Sequence, residues 1–265
     1  MAAAVGRILP ISLGRRIICD VLHFGMKVPR VTVQREMNLS RLAAAREYAQ
    51  PRPSWCSIFT KAYAKVVAHR PDLRRALLTF PWERLVEYDA VSADVAVELR
   101  LGLENTVFFA QLKRPDAAAL VDIDEHLSAC KEKPIERMRR LRRALMLARF
   151  PRCVRRLVWW ALLNVSAYKR SRYFSTFGVT SVAGRGGDLV SPLAPCITIL
   201  HYGNVDPKGK VTVRLTFDHR AMDGTAPARA LKEMEHVLNT DIQEEVDSMR
   251  RLRLFQGVLQ ARQAV

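Results

Sequence analysis

The chain has 265 residues, 49% of them hydrophobic, which is ample for one large domain or two small ones around a real core. Its formal charge of +17 points to an anionic partner: a nucleotide-bearing carrier, a membrane surface or nucleic acid. Five scattered cysteines (Cys19, Cys56, Cys130, Cys153, Cys196), odd in number and without metal-ligand spacing, argue against a disulfide framework or a metal site and fit a reducing cytoplasm.

In chain order, the start from Met1 to Pro10 carries too short an apolar run for a signal peptide, and Arg7 interrupts it. No apolar run anywhere reaches the length of a membrane span. Residues 15–25 read as a short helix ending near Gly25. Val31–Met37 alternates apolar and polar residues, the period of a half-buried strand. A helix is expected from Asn38 to about Tyr48, then a linker at Pro51-Arg-Pro53. Ser54 is placed to cap a longer helix reaching His69, with Ile58, Ala62, Val66 and Val67 on its buried face. Pro71–Leu77 reads as a turn into a short helical piece. Leu85–Tyr88, Asp94–Leu99 and Asn105–Leu112 read as strands. Asp116 begins a helix expected to run to about Arg149, broken or kinked near Pro134. Further strands are expected at Phe174–Thr180, Cys196–Tyr202 and Val211–Phe217, with loops at Gly184–Gly187 and Asp206–Gly209. Gly184-Arg-Gly-Gly lacks the Lys-Ser/Thr of a phosphate-binding loop and reads as a connection.

The most informative stretch is Val211–Gly224. Val211, Val213, Leu215 and Phe217 point one way along a strand, and Asp218-His-Arg-Ala-Met-Asp-Gly224 breaks the alternation. Ala226, Ala230, Leu231, Met234, Val237 and Leu238 then recur at helical spacing. Asp223 stands where an N-cap belongs, and Gly224 where the backbone turns sharply. A histidine at the end of such a strand is held rigidly while its ring reaches a cleft.

Asp218–Gly224 resembles the Asp-His-Arg-x-x-Asp-Gly signature of the dihydrolipoamide acyltransferase catalytic domain, the core subunit of 2-oxoacid dehydrogenase complexes. The shorter His-x-x-x-Asp-Gly part is shared with chloramphenicol acetyltransferases and peptide-synthetase condensation domains. Three further stretches resemble family segments in the same order: Val28-Pro-Arg-Val-Thr-Val, Phe177-Gly-Val-Thr-Ser-Val-Ala-Gly and Ser191-Pro-Leu-Ala-Pro-Cys-Ile-Thr-Ile-Leu. The resemblance runs from about Ile11 to about Asn239. It implies an α+β, two-layer, chloramphenicol acetyltransferase-like fold, a mixed sheet with helices on one face, assembled as a homotrimer with active sites at subunit interfaces. It also implies acyl transfer from a coenzyme A thioester to a thiol, hydroxyl or amine by direct attack.

A thiol is mostly protonated at neutral pH, and a histidine suits the removal of its proton. His219 is the candidate base. The resemblance assigns the oxyanion donor to the hydroxyl of Thr180, with Ser181 as the neighbouring fallback. It makes Asp223 an organiser that pairs with an N-terminal arginine, here Arg15 or Arg16. Gly224, Asp218 and Arg220 support the site by shaping and orienting the loop. No metal is expected. The remaining histidines, His23, His69, His126, His201 and His236, show no ligand pattern and read as structural or exposed.

The sequence departs from the family in four places. Neither a lipoyl nor a subunit-binding domain is recognised ahead of the acyltransferase region, so no covalently bound lipoyl group is expected and the acceptor need not be lipoamide. Leu193 replaces the family's asparagine ahead of Ala-Pro. Lys133–Arg172 is longer than expected and holds thirteen basic residues against Glu136 alone, a charge of +12. Within it, Pro151–Asn164 reads as a helix with Arg152, Arg155 and Arg156 on one side and Val154, Leu157, Val158, Ala161 and Leu162 on another. The favoured expectation packs the apolar side on the domain or an adjacent subunit and leaves the arginines in water. The alternative is contact of about residues 149–172 with a membrane surface. Finally, Asp241–Val265 reads as a helical tail beyond the domain of residues 1–240, one that would block cage contacts and leave a trimer. The location expected is cytoplasmic, with a peripheral membrane position as the variant. A non-catalytic trimeric assembly or membrane-docking protein is the rival to the enzyme. Nucleic-acid binding is not expected, because charge is its only support.

Overall fold

Strand and helix periodicities translate into a mixed six-stranded sheet with helices packed against it. The structure is a computed structural model describing residues 6–101, 104–132 and 138–251. The elements are α1 (Leu13–Gly25), β1 (Arg30–Asn38), α2 (Ser40–Tyr48), α3 (Trp55–His69), β2 (Arg75–Leu78), β3 (Arg84–Glu87), β4 (Ser92–Leu101), β5 (Glu104–Lys113) and α4 (Leu120–Glu132). They continue with α5 (Arg139–Ala148), α6 (Arg152–Asn164), α7 (Ala167–Tyr173), β6 (Phe177–Thr180), β7 (Thr198–Tyr202), β8 (Lys210–Asp218) and α8 (Thr225–Val237). Sheet order is β1-β8-β7-β6-β4-β5. β6 runs parallel to β4 and β7, and the other neighbours are antiparallel. This is the mixed-sheet α+β arrangement that the resemblance implied, except that helices lie against both sheet faces and not one alone.

The main core lies between the sheet and the layer of α3, α4 and α8. Val211, Val213, Leu215 and Phe217, the alternating residues of β8, are all buried in it. Tyr63 of α3 shows why the layers fit. It meets Phe177 edge-on at 4.9 Å and donates its hydroxyl to Thr198 Oγ1 at 3.0 Å, so a buried polar group is satisfied. Ser54 caps α3 as expected, its side chain accepting from Ser57 N. Gly209 turns the chain into β8 at φ +79, and a Cβ there would fall 2.3 Å from Ser40 Cα, so only glycine fits.

Two expectations are corrected, and the described part of the tail adds to the core. Only Pro71–Arg74 makes a helical turn; Arg75–Leu78 is β2, because Ala76 and Leu78 face the core while β3 supplies its backbone partners. The helix expected from Asp116 starts at Leu120, and its next stretch, 133–137 with Pro134, lies outside the described residues. The tail is described as far as Arg251. Ile242, Val246 and Met249 are buried in the main core, and Glu245 accepts from Leu120 N at 2.8 Å and pairs with Lys61. Residues 241–251 therefore pack against the same core.

The basic segment forms α5, α6 and α7, which join α1 over part of the opposite sheet face. A second, smaller core of Val21, Ala194, Cys196 and Ile199 lies there, with Ile17, Phe109 and Trp159 against it. Here α6 departs from the favoured expectation at Arg155, while Arg152 is exposed as expected. Arg155 points inward and donates to Asp20 of α1 at 2.7 and 3.2 Å, with side-chain exposures of 9% and 2%. Val154 and Leu157 are left exposed. The cause is Asp20: a carboxylate buried under the helix requires a countercharge more strongly than two aliphatic side chains require cover.

Candidate active site

The end of β8 is fixed from three sides. Asp218 N donates to Ile197 O at 3.0 Å, which ties the strand end to the start of β7. His219 N donates to Pro29 O at 3.0 Å, which ties it to the entry of β1. Asp218 is 2% exposed and receives Arg220 twice through its side chain, Nε at 2.9 Å and Nη2 at 2.7 Å, with Arg220 N adding a third bond at 3.1 Å. This bidentate pair holds the Arg220 guanidinium's pKa above its ordinary value and closes the loop around the histidine. Asp218 and Arg220 thus form one hydrogen-bonded unit beside His219.

His219 follows the buried strand end. Its ring tilts against Phe217 at 5.6 Å, and its side chain remains 46% exposed. The ring is therefore anchored at its base and open to a reactant. Asp223 lies across the turn with Oδ1 at 3.9 Å from His219 Nδ1, too far for a hydrogen bond, and its side chain is 91% exposed. It does not cap α8: Gly224 occupies the cap position without a side-chain bond, and Asp223 contributes only its carbonyl, to Ala226 N at 3.1 Å. Gly224 is not strained, at φ −61 and ψ −19, an ordinary helical conformation. Its expected role as a special bend residue is corrected accordingly.

Arg15 and Arg16 do not meet Asp223 within one chain. Arg15 is exposed at the start of α1, and Arg16 Nη1 donates to Ala148 O of α5 at 3.4 Å. The first helix packs against α5, α6 and β5, so its N-terminal arginines belong to that layer. A different arginine approaches the strand end. Arg30, opposite Asp218 in the β1–β8 register, donates to the carbonyls of Ala194 and Cys196. Burial lowers its pKa. It straps the Pro-rich turn to the start of β7. Sequence reasoning missed it, although Val28-Pro-Arg-Val-Thr-Val, a segment already matched to the family, contains it.

Thr180 ends β6 and lies at the other end of the sheet. It pairs in register with His201, which pairs with Arg214, whereas Phe177 and Thr198 stand level with Phe217. Five residues along β8 separate the level of Thr180 from His219. At ~3.3 Å per residue this is about 17 Å, with two strand spacings in between. Thr180 lines a cleft of about 390 Å³ with Ser54, Cys56, Glu98, Lys131 and Tyr202. Among the described residues nothing bonds to its hydroxyl. The Ser181 hydroxyl is occupied, donating to Tyr202 O at 2.9 Å and accepting from Ala183 N at 3.2 Å. Burial raises the pKa of the Cys56 and Cys196 thiols, the latter to about 11, which disfavours either as a thiolate nucleophile. Among the described residues no group of three His, Cys, Asp or Glu side chains is placed to hold a metal ion.

Comparison with solved structures gives the fold its family context. The cubic core of the pyruvate dehydrogenase multienzyme complex aligns over 92% of this chain and 95% of that one, at 18% identity and a TM-score of 0.66. The chain has the fold of the 2-oxoacid dehydrogenase acyltransferase core. A dihydrolipoamide acetyltransferase from Azotobacter vinelandii aligns over 91% and 94% of the two chains, at 18% identity and a TM-score of 0.64. In that enzyme a serine, a histidine and an asparagine were investigated for their role in catalysis. A truncated catalytic core from Thermoplasma acidophilum aligns over 89% and 99%, at 19% identity and a TM-score of 0.63. By sequence, no family model and no curated protein matches the chain. The likeness to the acyltransferase core is one of fold, spanning nearly the whole of both chains.

Proposed function

We propose that the protein is an acyltransferase that moves an acyl group from a coenzyme A thioester to an acceptor thiol, hydroxyl or amine, with His219 as general base. The observation that carries this reading is the half-exposed His219 ring, fixed by Phe217, Pro29 and the Asp218–Arg220 pair on an acyltransferase-core fold. His219 takes the proton of the acceptor as its heteroatom attacks the thioester carbonyl. A tetrahedral oxyanion forms, collapses with cleavage of the C–S bond, and the departing sulfur receives the proton from His219. The Thr180 hydroxyl donates to the oxyanion. Because Thr180 and His219 stand at opposite ends of one sheet, the donor comes from a second copy, and the working unit is a homotrimer with sites shared between neighbours. In this assembly Asp223 positions the histidine turn. The substrate is acyl-CoA, whose phosphates suit a strongly basic protein.

The test is thiol release from coenzyme A thioesters of graded acyl length, with dihydrolipoamide, simple alcohols and amines as acceptors. Turnover by the wild type and a loss of 10²- to 10⁴-fold in His219→Ala are expected. Thioesters that neither bind nor react sink the proposal. A second reading rests on α6, where exposed Val154 and Leu157 adjoin exposed Phe150 beside Arg149 and Arg152: docking of that face on an anionic membrane. Among the described residues no helix is long and apolar enough to cross a membrane. Absence of flotation with liposomes, with or without anionic lipid, removes this second reading.

A further inference from the structure

The reverse face of the sheet encloses something the His219 site does not use. Between β4, β5 and the layer of α1, α5, α6 and α7 lies a cleft of about 1060 Å³. That is the upper end of the size range of small-molecule sites. Its walls are apolar and come from every surrounding element: Ile17 and Val21 of α1, Phe109 of β5, Leu145 of α5, Trp159 of α6 and Phe174 after α7. Trp159 is held in place by stacking on Phe24 at 6.0 Å and by a tilted contact with Phe174 at 5.3 Å. The walls are thus preformed.

The charges around this cleft are unbalanced in a specific way. Its carboxylates are mostly taken: Asp20 by Arg155, Asp94 by Arg140 and Glu87 by Arg75. Asp89 is the remaining one. Against it stand Lys113, Arg139, Arg143 and Arg172, all lining the cleft and all exposed. Among the described residues none of these four has a carboxylate within ion-pair distance. Arg139 and Arg143 are four apart on α5 and so share a helix face. An apolar interior with uncompensated cations around it is complementary to an amphipathic anion.

We propose that this cleft binds a long-chain fatty acyl group with an anionic head, the chain against Phe109, Leu145, Trp159 and Phe174 and the head among Arg139, Arg143, Lys113 and Arg172. His219 is not among the residues lining the cleft, and the proposal does not rest on the acyl-transfer reading. A fatty acid and a long-chain alkyl phosphate share this chemistry. Palmitate and hexadecyl phosphate, run as separate arms, decide which head is preferred.

Trp159 provides a direct readout. Titration of the full-length protein with a nitroxide-labelled stearate quenches its fluorescence, and Trp159→Phe removes most of that quenching. Unlabelled palmitate or hexadecyl phosphate competes, acetate does not, and affinity rises by up to about fourfold per added methylene. Hexadecyltrimethylammonium, with the same tail and the opposite charge, competes at least tenfold more weakly. Ala144→Trp, which fills the cleft from α5, weakens palmitate binding at least tenfold. The double variant Arg139→Glu/Arg143→Glu, confined to exposed side chains, does the same, so the test stands even where the first variant folds poorly. His219→Ala binds palmitate like the wild type, which keeps this result apart from the outcome of the turnover assay. Binding that is indifferent to chain length, to head charge or to both cleft variants overturns the proposal. So does a Trp159 already shielded in an oligomer and unquenched by the label, because a second copy of the chain then fills the cleft.

Discussion

Single side chains show how the sheet tolerates polar groups. His201 is fully buried, its Nδ1 2.9 Å from Leu189 O and its Nε2 3.1 Å from Thr216 Oγ1, which in turn bonds Thr32 Oγ1 at 2.8 Å. Burial, with Arg214 adding to it, holds its pKa down to about 4, so the ring is neutral in the fold. The unfolded chain takes up a proton near pH 6.5 that the folded chain refuses until about pH 4. The contribution is therefore fully present above pH 6.5 and is lost as pH falls through that window, by up to about 3 kcal/mol and less where water screens the ring. Urea unfolding of wild type and His201→Asn between pH 7 and 4.5 checks this. The wild type should lose stability steeply on acidification and the variant more gently; parallel profiles would show that His201 does not carry the window. The sequence marked His201 only as structural or exposed, since the alternation of β7 cannot say which face is dry.

Elements were legible where their partners are local. The periods of β1, β5 and β8, the Ser54 cap and the turn at Asp206–Gly209 depend on neighbours a few residues away, and they stand within a residue or two of where the sequence put them. α6 was misjudged because the residue that orients it, Asp20, is 135 positions distant. A helical wheel sees two faces and has no means of choosing which is buried when one holds an arginine destined for a buried carboxylate. The same distance makes the element testable. Asp20→Ala leaves Arg155 buried without a countercharge and should cost about 3 kcal/mol in chemical denaturation. Exchanging both partners for apolar residues of similar size, Asp20→Leu with Arg155→Met, should recover most of that loss, because the desolvation penalty disappears with the charges. Equal losses in the single and double variants would mean that α6 is positioned by Trp159 and its ring contacts instead. The short β2 was lost to the sequence for a related reason: a four-residue strand announces itself only through its partner β3.

At the scale of the molecule, the catalytic candidates were legible as residue types and the site was not legible as a place. The signature around His219 located a strand end, a turn and a helix correctly. The sequence put Thr180 at the end of its strand, but the parallel pairing of β6 with β7 sends that end away from His219. Either the two act in different copies of the chain or they do not act together, and mixing separates the alternatives. His219→Ala and Thr180→Ala are each expected to be strongly impaired, the latter by about 10²- to 10³-fold as for loss of an oxyanion donor. Co-expressed in equal amounts, they assemble at random. A shared site is intact only when its histidine comes from a Thr180→Ala chain and its threonine from a His219→Ala chain. Each condition is met half of the time, so about one quarter of wild-type turnover returns in a cyclic trimer. Sites built within single chains would show no recovery above the mean of the two variants, since every chain carries one lesion. Recovery near one quarter would establish both the assembly and the pairing of His219 with Thr180. No recovery alongside a trimer in solution would mean that the two residues do not meet across a subunit interface, and a Thr180→Ala variant as active as the wild type would remove Thr180 from the mechanism.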